Sequence, residues 1–333
     1  MVVTQRFIAE KAGVSQKTIS LYFKGDTRVA AKTAEKIKRV TEKYHYVPNE
    51  AAISMNSNCF HRIACVMGQD ARHYGVPQLA AYINGLAKVL GKNGYSLLFE
   101  PFMLDIKNEK IINDLEFFKT LSVDGVIGIA GTYIPSVVDE KIKRLNAPTV
   151  WLNRYNVPNG VPAINFDEHQ NALNIAKALW EKGYKKFAWF GPQLTGKIHH
   201  VSSKIRCETI VEYINNKGGQ IKCYTNKVGE RLKNGALDII KDKPEVCICC
   251  HDEYRAVLNQ QARIAGFSQL KTVHFASAWE VTEDKMDCFS FLELPELEIA
   301  EQGARYILNK IQNKKAQQYL KPLTGKLYLT ENI

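Results

Sequence analysis

The sequence predicts an all-α helix-turn-helix headpiece followed by an α/β core of two lobes built on parallel sheets. Three observations predict it. Residues 4–25 carry two short helical patterns that meet at a glycine. From Arg62 onward, apolar strands alternate with amphipathic helices in two successive series. More than half of the net charge of +11 lies in the first 62 of 333 residues, which hold eleven Lys/Arg against five Asp/Glu.

In the headpiece, Thr4 is placed to cap a first helix whose Ile8, Ala9 and Ala12 form an apolar stripe. Gly13 supplies the sharp turn, because glycine takes φ > 0 without steric cost. Ser15 restarts a helix with Ile19, Tyr22 and Phe23 facing inward and Gln16, Lys17, Ser20 and Leu21 outward. Small residues at the crossing let two helices approach closely, the build of a helix-turn-helix whose second helix enters a DNA major groove. An ordinary αα-corner satisfies the same local pattern. A third helix is predicted over 32–44, with Ala34, Ile37, Val40 and Thr41 inward, and must end before Pro48. Asn49 is placed to cap a short helical stretch over 50–56, and 57–61 read as a connector. The concentrated positive charge suits phosphate neutralisation, although a solvated basic face gives the same count.

Strands are predicted in the core at 63–67, 95–99, 125–129, 149–152, 186–190, 220–224, 246–250, 271–275 and 325–330. Helices are predicted between them at 79–93, 109–121, 136–145, 170–182, 202–217, 230–241, 254–265 and 295–312. Two such α/β series without a long linker predict two lobes around a cleft. Open parallel sheets bind ligands beyond the carboxyl ends of their strands, so the cleft is the expected small-molecule site.

Composition narrows the class. An apolar fraction of 45% and a charged fraction of 24% describe an ordinary globular chain, with no apolar run near the ~18–20 residues of a membrane span. The N-terminus enters a helical pattern directly rather than through a secretory signal. Eight cysteines at irregular spacing read as reduced thiols, and a cytoplasmic location is expected. Gly191-Pro-Gln-Leu-Thr-Gly-Lys197 has P-loop spacing, but Ile198 stands where the Mg²⁺-binding hydroxyl belongs and Pro192 removes a donor. Cys247-Ile-Cys-Cys-His251 reads as a buried strand with Cys247 and Cys249 on one face, and no second ligand pair completes a tetrahedral metal set. No enzyme activity, cofactor or metal is expected.

Residues 4–55 resemble the N-terminal segment of the lactose-repressor (LacI/GalR-type) transcription regulators. The matching text is Ala9-Glu-Lys-Ala-Gly-Val-Ser15, Thr18-Ile-Ser20, Thr33 and Tyr46-Val-Pro-Asn49, with Ala52 and Ser54. Weaker landmarks run through the core: Val123-Asp-Gly-Val-Ile127, Pro148 with Arg154, Asp167, Gly183-Tyr-Lys-Lys, Gly191-Pro192, Arg206 and Asp252. The resemblance implies a DNA-binding domain over 1–47, a hinge helix and linker over 48–61, and a periplasmic-binding-protein-like core over 62–333. It further implies three interlobe crossovers, with lobe 1 at about 62–163 and 291–322 and lobe 2 at about 164–290 and 323–333. A sequence-specific regulator, in such a family most often a repressor, would bind a palindromic operator as a homodimer. A small effector, a sugar or sugar derivative, would set its DNA affinity.

By the same resemblance, Gln16 and Lys17 sit where family members read bases, and Gln suits adenine while Lys suits guanine. Ser15, Thr18, Ser20, Lys24 and Thr33 fall at phosphate-contacting places, with Tyr46 and Asn49 beside the hinge. Leu21 replaces a frequent arginine and favours apolar contact. Ala52-Ile-Ser-Met55 replaces Ala-Arg-Ser-Leu, with Met55 as the minor-groove wedge or as an ordinary packed residue. The implied ligand set is Gln69, Tyr74, Trp151, Arg154, Arg206, His251, Asp252, Ser277 and Trp279. Arg206 is the arginine expected to reach ligand oxygens, with a surface ion pair to Glu208 or a neighbour as its alternative. Trp151 and Trp279 serve either as sugar-stacking faces or as core. His251 and Ser277 stand where the family has Asn and Asp, which leaves an effector-independent regulator open. A solute-binding or enzymatic α/β protein with an incidental basic helical domain is the remaining alternative.

Overall fold

The computed structural model describes residues 3–23, 25–47, 59–70, 76–105, 110–111, 122–130, 134–195, 201–227, 230–267, 270–277, 288–314, 320–331 and 333, with backbone alone at 69–70, 76–78, 103–105 and 110. It divides into two compact units, Met1–Phe60 and His61–Ile333.

Among its described residues the first unit has three helices: α1 (Gln5–Ala12), α2 (Gln16–Phe23) and α3 (Ala31–Lys43). Ile8, Ala9, Ala12, Ile19 and Ile37 are buried at its centre, ringed by Phe7, Tyr22, Phe23, Val40, Tyr44 and Tyr46. Phe7 meets Tyr44 edge-on, with ring centroids 5.0 Å apart, so the start of α1 is held against the end of α3.

The second unit contains two six-stranded sheets. In the first the order is β3 (Lys110–Ile111), β2 (Ser96–Asp105), β1 (Arg62–Asp70), β4 (Gly125–Ile129), β5 (Thr149–Leu152) and β6 (Ala163–Ile164). All neighbours are parallel except β2 and β3. Alternation along the strands fills both faces. Ile63, Cys65, Met67, Ile127, Ile129, Val150 and Leu152 belong to the core packed beneath α4 (Val76–Lys92) and α10 (Glu296–Ile311). Ala64, Val66, Val126 and Trp151 belong to the other, beneath α5 (Ser136–Arg144).

The second sheet runs β12 (Lys326–Tyr328), β11 (Ser290–Leu294), β10 (Lys271–Ser277), β9 (Val246–Cys249), β7 (Lys186–Pro192) and β8 (Gln220–Asn226). Among the described strands of this sheet, only β12 is antiparallel to its neighbour. Four helices flank it: α6 (Glu168–Glu181), α7 (Val201–Asn216), α8 (Leu232–Asp242) and α9 (Asp252–Ile264). No helix among the described residues is long and apolar enough to cross a membrane.

The chain passes between sheets at 164–168, at 294–296 and again at 311–326. The first and third passages are tied together: the Leu323 amide donates to the Asn165 carbonyl and the Asp167 amide to the Leu323 carbonyl, each at 2.9 Å. The second passage differs from expectation. Residues 291–294 stay with the second sheet, because β11 pairs along its whole length with β10, and the return to the first sheet begins at α10. Strands β3, β6 and β11 are additional to the sequence expectation. Where the start of a helix over 109–121 is expected, Lys110–Ile111 form β3 by antiparallel pairing with β2; residues 112–121 and the hinge helix over 50–56 lie outside the described residues.

Candidate nucleic-acid interface and ligand cleft

The turn between α1 and α2 is fixed by local chemistry. The Thr4 side chain accepts the Phe7 amide at 3.2 Å, capping α1. Gly13 takes φ +60°, and its amide together with that of Val14 closes on the carbonyls of Glu10 and Ala9. Ser15 Oγ then accepts the Thr18 amide at 3.1 Å and lies 2.9 Å from the Thr18 hydroxyl, so one of the free amides at the start of α2 is satisfied. Gln5 Nε2 donates to the Gln16 carbonyl at 3.2 Å and locks α1 onto the first turn of α2.

Burial of Ile19 orients α2. Ser15, Gln16 and Lys17 are exposed, while Thr18, Ser20 and Leu21 are half-buried. Gln16, Lys17, Ser20 and Leu21 therefore share one side of the helix, as i, i+1, i+4 and i+5 positions must. Arg6, Arg28 and Arg39 are each engaged by a nearby carboxylate. Lys17 has no carboxylate partner among the described residues. Thr33 is half-buried in the first turn of α3. Tyr46 packs on Phe23 at 5.8 Å, and burial pushes its phenol above the usual range. Lys24, Asn49, Ala52 and Met55 lie outside the described residues.

The cleft follows from strand order. The direction of winding reverses between β1 and β4 in the first sheet and between β7 and β9 in the second. Crevices open at such switch points, beyond the carboxyl ends of the strands. At the second of these stands Arg206, 2% exposed, on α7. Its Nε and Nη2 donate to the two oxygens of Glu168 at 2.6 and 2.7 Å, and Nη1 lies 3.4 Å from the Cys250 carbonyl just past β9. The guanidinium lies over the Phe275 ring at 4.0 Å. Tyr155 Oη donates to Glu168 at 3.0 Å. Burial alone would lower the guanidinium, but the Glu168 carboxylate outweighs it and holds Arg206 above its ordinary value. Burial and the same carboxylate push the Tyr155 phenol up. The alternative of a surface pair with Glu208 is not what forms: Arg206 pairs internally with Glu168, and Glu208 faces Lys204 at 3.8 Å. Nearby, the Trp189 indole nitrogen is buried with no hydrogen-bond partner among the described residues.

Three members of the expected ligand set are buried in internal contacts. Trp151 is fully buried, packed so tightly on Gly128 that a Cβ there would sit 2.2 Å from the ring. Arg154 covers it at 4.3 Å, so no ring face is left for a sugar. Arg154 itself is held by Asp139 through two bonds of 2.5 and 2.7 Å, which occupies its fork within the first lobe. Ser277 is also buried, and its hydroxyl donates to the Glu296 carboxylate at the second interlobe passage.

His251 and Asp252 open α9 beyond the carboxyl end of β9. Asp252 Oδ1 accepts from Arg255 at 2.7 Å and lies 3.3 Å from His274 Nε2. His251 is half-buried. The side chain of Gln69, the whole of Tyr74 and Trp279, and residues 196–197 of the loop with P-loop spacing lie outside the described residues. Glu168, Tyr155 and Asp139, the groups that control the two arginines, have no signal in the sequence motifs. Among the described residues, no cluster of three His, Cys, Asp or Glu side chains is placed to hold a metal ion.

Comparison with known proteins agrees with both halves. The profile "Bacterial regulatory proteins, lacI family" matches residues 6–49. Catabolite control protein A of Staphylococcus aureus is 26% identical over 326 residues, covering 96% of this chain and 95% of that protein. A lac repressor dimer bound to operator and the anti-inducer ONPF superposes with a TM-score of 0.77 at 15% identity, over 100% of this chain and 98% of that one. A transcriptional regulator CelR–cellobiose complex gives 0.63 at 17% identity, over 99% of each chain. With a headpiece that matches the profile and a core that keeps the two-lobed fold, the chain is a DNA-binding transcription regulator similar along its length to regulators of the lacI type.

Proposed function

We propose that this regulator is a repressor that binds a palindromic operator as a homodimer, and that an uncharged carbohydrate held between the lobes sets its affinity for DNA. The exposed Gln16 and Lys17 at the capped start of α2 carry the reading. Gln16 would bond an adenine edge and Lys17 a guanine, with Leu21 against a thymine methyl. Ser15, Thr18, Ser20 and Thr33 would position the headpiece on phosphates, with Lys24, Tyr46 and Asn49 alongside. Residues 48–61 would form the hinge, with Ala52 and Met55 entering the minor groove. The operator-bound dimer of the lac repressor supports the two-fold arrangement, since a two-fold protein pairs with a two-fold site. Such a protein would act on chromosomal DNA in the cytoplasm.

The charge of the ligand follows from Arg206. An unpaired buried guanidinium would select a carboxylate or phosphate, whereas Glu168 already neutralises this one. A polyhydroxy ligand, which accepts and donates without net charge, suits that pair together with His251 and Asp252. The CelR–cellobiose complex supports the same class. Full internal pairing of Arg206 also favours a second reading, a regulator that works without an effector. Footprinting on operator DNA, repeated with neutral and with phosphorylated sugars, separates the two. Two-fold symmetric protection that shifts with a neutral sugar supports the first reading. Protection that no sugar alters supports the second, and protection without symmetry overturns the dimer.

A further inference from the structure

We propose that Cys207 and Cys223 are a thiol-oxidation site, at which peroxide closes a reversible disulfide joining α7 to the edge strand β8. The two sulfurs lie 3.5 Å apart, so closing to the ~2.05 Å of a disulfide needs an approach of about 1.5 Å. Cys207 is buried on the inner side of α7, and Cys223 is exposed on β8, the last strand of the second sheet. An accessible thiol backed by a buried one is the arrangement in which the first is oxidised and the second resolves it. With Cys207 as donor, its S–H stabilises the Cys223 thiolate, so the Cys223 thiol lies below its ordinary value and the Cys207 thiol above.

The other close sulfur contacts lack an accessible member. Cys247 and Cys249, 3.9 Å apart, are both fully buried, as is Cys250 beside Ser203. With no metal-holding cluster among the described residues, the pair is left with thiol chemistry.

The step balances as a two-electron oxidation. The Cys223 thiolate attacks one peroxide oxygen and breaks the O–O bond, giving a sulfenic acid and, after protonation, one water. The Cys207 thiol then attacks the sulfenic sulfur, forms the S–S bond and expels a second water. A dithiol reductant reverses the reaction. Cys207 follows Arg206 in the same helical turn, so the new bond would tether the turn that carries the Arg206–Glu168 pair. Bond formation does not depend on the effector proposed above; only its consequence for ligand response does.

The test uses the full-length reduced chain, treated with hydrogen peroxide, quenched by alkylation and digested with trypsin. Cleavage after Lys217 and Lys222 places the two cysteines on separate peptides, held together only by the new bond. The expected result is one linked peptide pair, abolished by dithiothreitol and absent from C223S, with slower amide exchange over 201–216 in the oxidised protein. Circular dichroism on C223S and C207S shows that each variant is folded. Cys223 recovered only as sulfinic acid, or a linked pair formed only between chains or only in urea, would overturn the proposal.

Discussion

Glu168 and Arg206 form a buried two-point ion pair between the first turn of α6 and the middle of α7, 38 residues apart in sequence. Asp167 caps α6 through the Gln170 amide at 2.9 Å, which places Glu168 at the first helical position, where the helix dipole also favours its charge. Beside it run the first and third interlobe passages, tied together where the Asp167 amide donates to the Leu323 carbonyl.

Breaking that pair from one side leaves a buried charge without compensation. Glu168→Ala is expected to cost about 3–5 kcal/mol, read as a lower urea midpoint for the core. Lys204→Ala, at an exposed pair, is expected to stay within about 0.5 kcal/mol. Equal effects of the two changes would show that the buried pair is not special.

The contact of Trp151 with Gly128 makes a steric prediction. A methyl group at position 128 has no room, since its Cβ would meet the ring at 2.2 Å. Gly128→Ala is expected to destabilise the first lobe by about 1–3 kcal/mol through overpacking, seen in thermal unfolding. An unchanged midpoint would mean that the ring has freedom to move, and Trp151 would return as a ligand surface.

Stability should fall in alkali for a stated reason. Burial pushes the Cys65 thiol up to about 12 and that of Cys250 to about 11. The folded state keeps protons that the unfolded chain loses near pH 8.5–9, so this contribution is complete below that range. It is lost as pH rises from about 9 toward 12. Alkylation at pH 8 should accordingly leave Cys65 and Cys250 unmodified in the folded protein and modify them in urea. Labelling of either in the native state would contradict their burial.

Lys17→Ala should weaken binding to the preferred DNA sequence by about 1–3 kcal/mol, roughly 5- to 150-fold, and relax preference at one base position. Binding to random duplex should change far less. A uniform loss across sequences would reassign Lys17 to a phosphate.

Local chemistry made the headpiece legible. Thr4, Gly13 and Ser15 act on amides within four residues, and Ile8, Ala9, Ala12 and Ile19 mark the buried faces by helical period alone. The alternation of strands and helices is equally local. Sheet membership is not: β11 joins the second sheet by pairing with β10, and β6 is two residues long. The site was least legible. In a parallel sheet covered on both faces, period two does not distinguish a cleft-facing residue from a core one, and Trp151 is core. The partners of Arg154 and Arg206, 15 and 38 residues away, follow from tertiary packing that no motif encodes.

The most direct test of the central claim is selection of bound sequences from random duplex DNA by the full-length protein, repeated at two salt concentrations. Recovery of one palindrome with a flexible central step at both salts, bound more weakly at the higher, is the predicted result. Retention of DNA without sequence enrichment, lost as salt rises, would contradict it: the headpiece would then be basic but would not read bases.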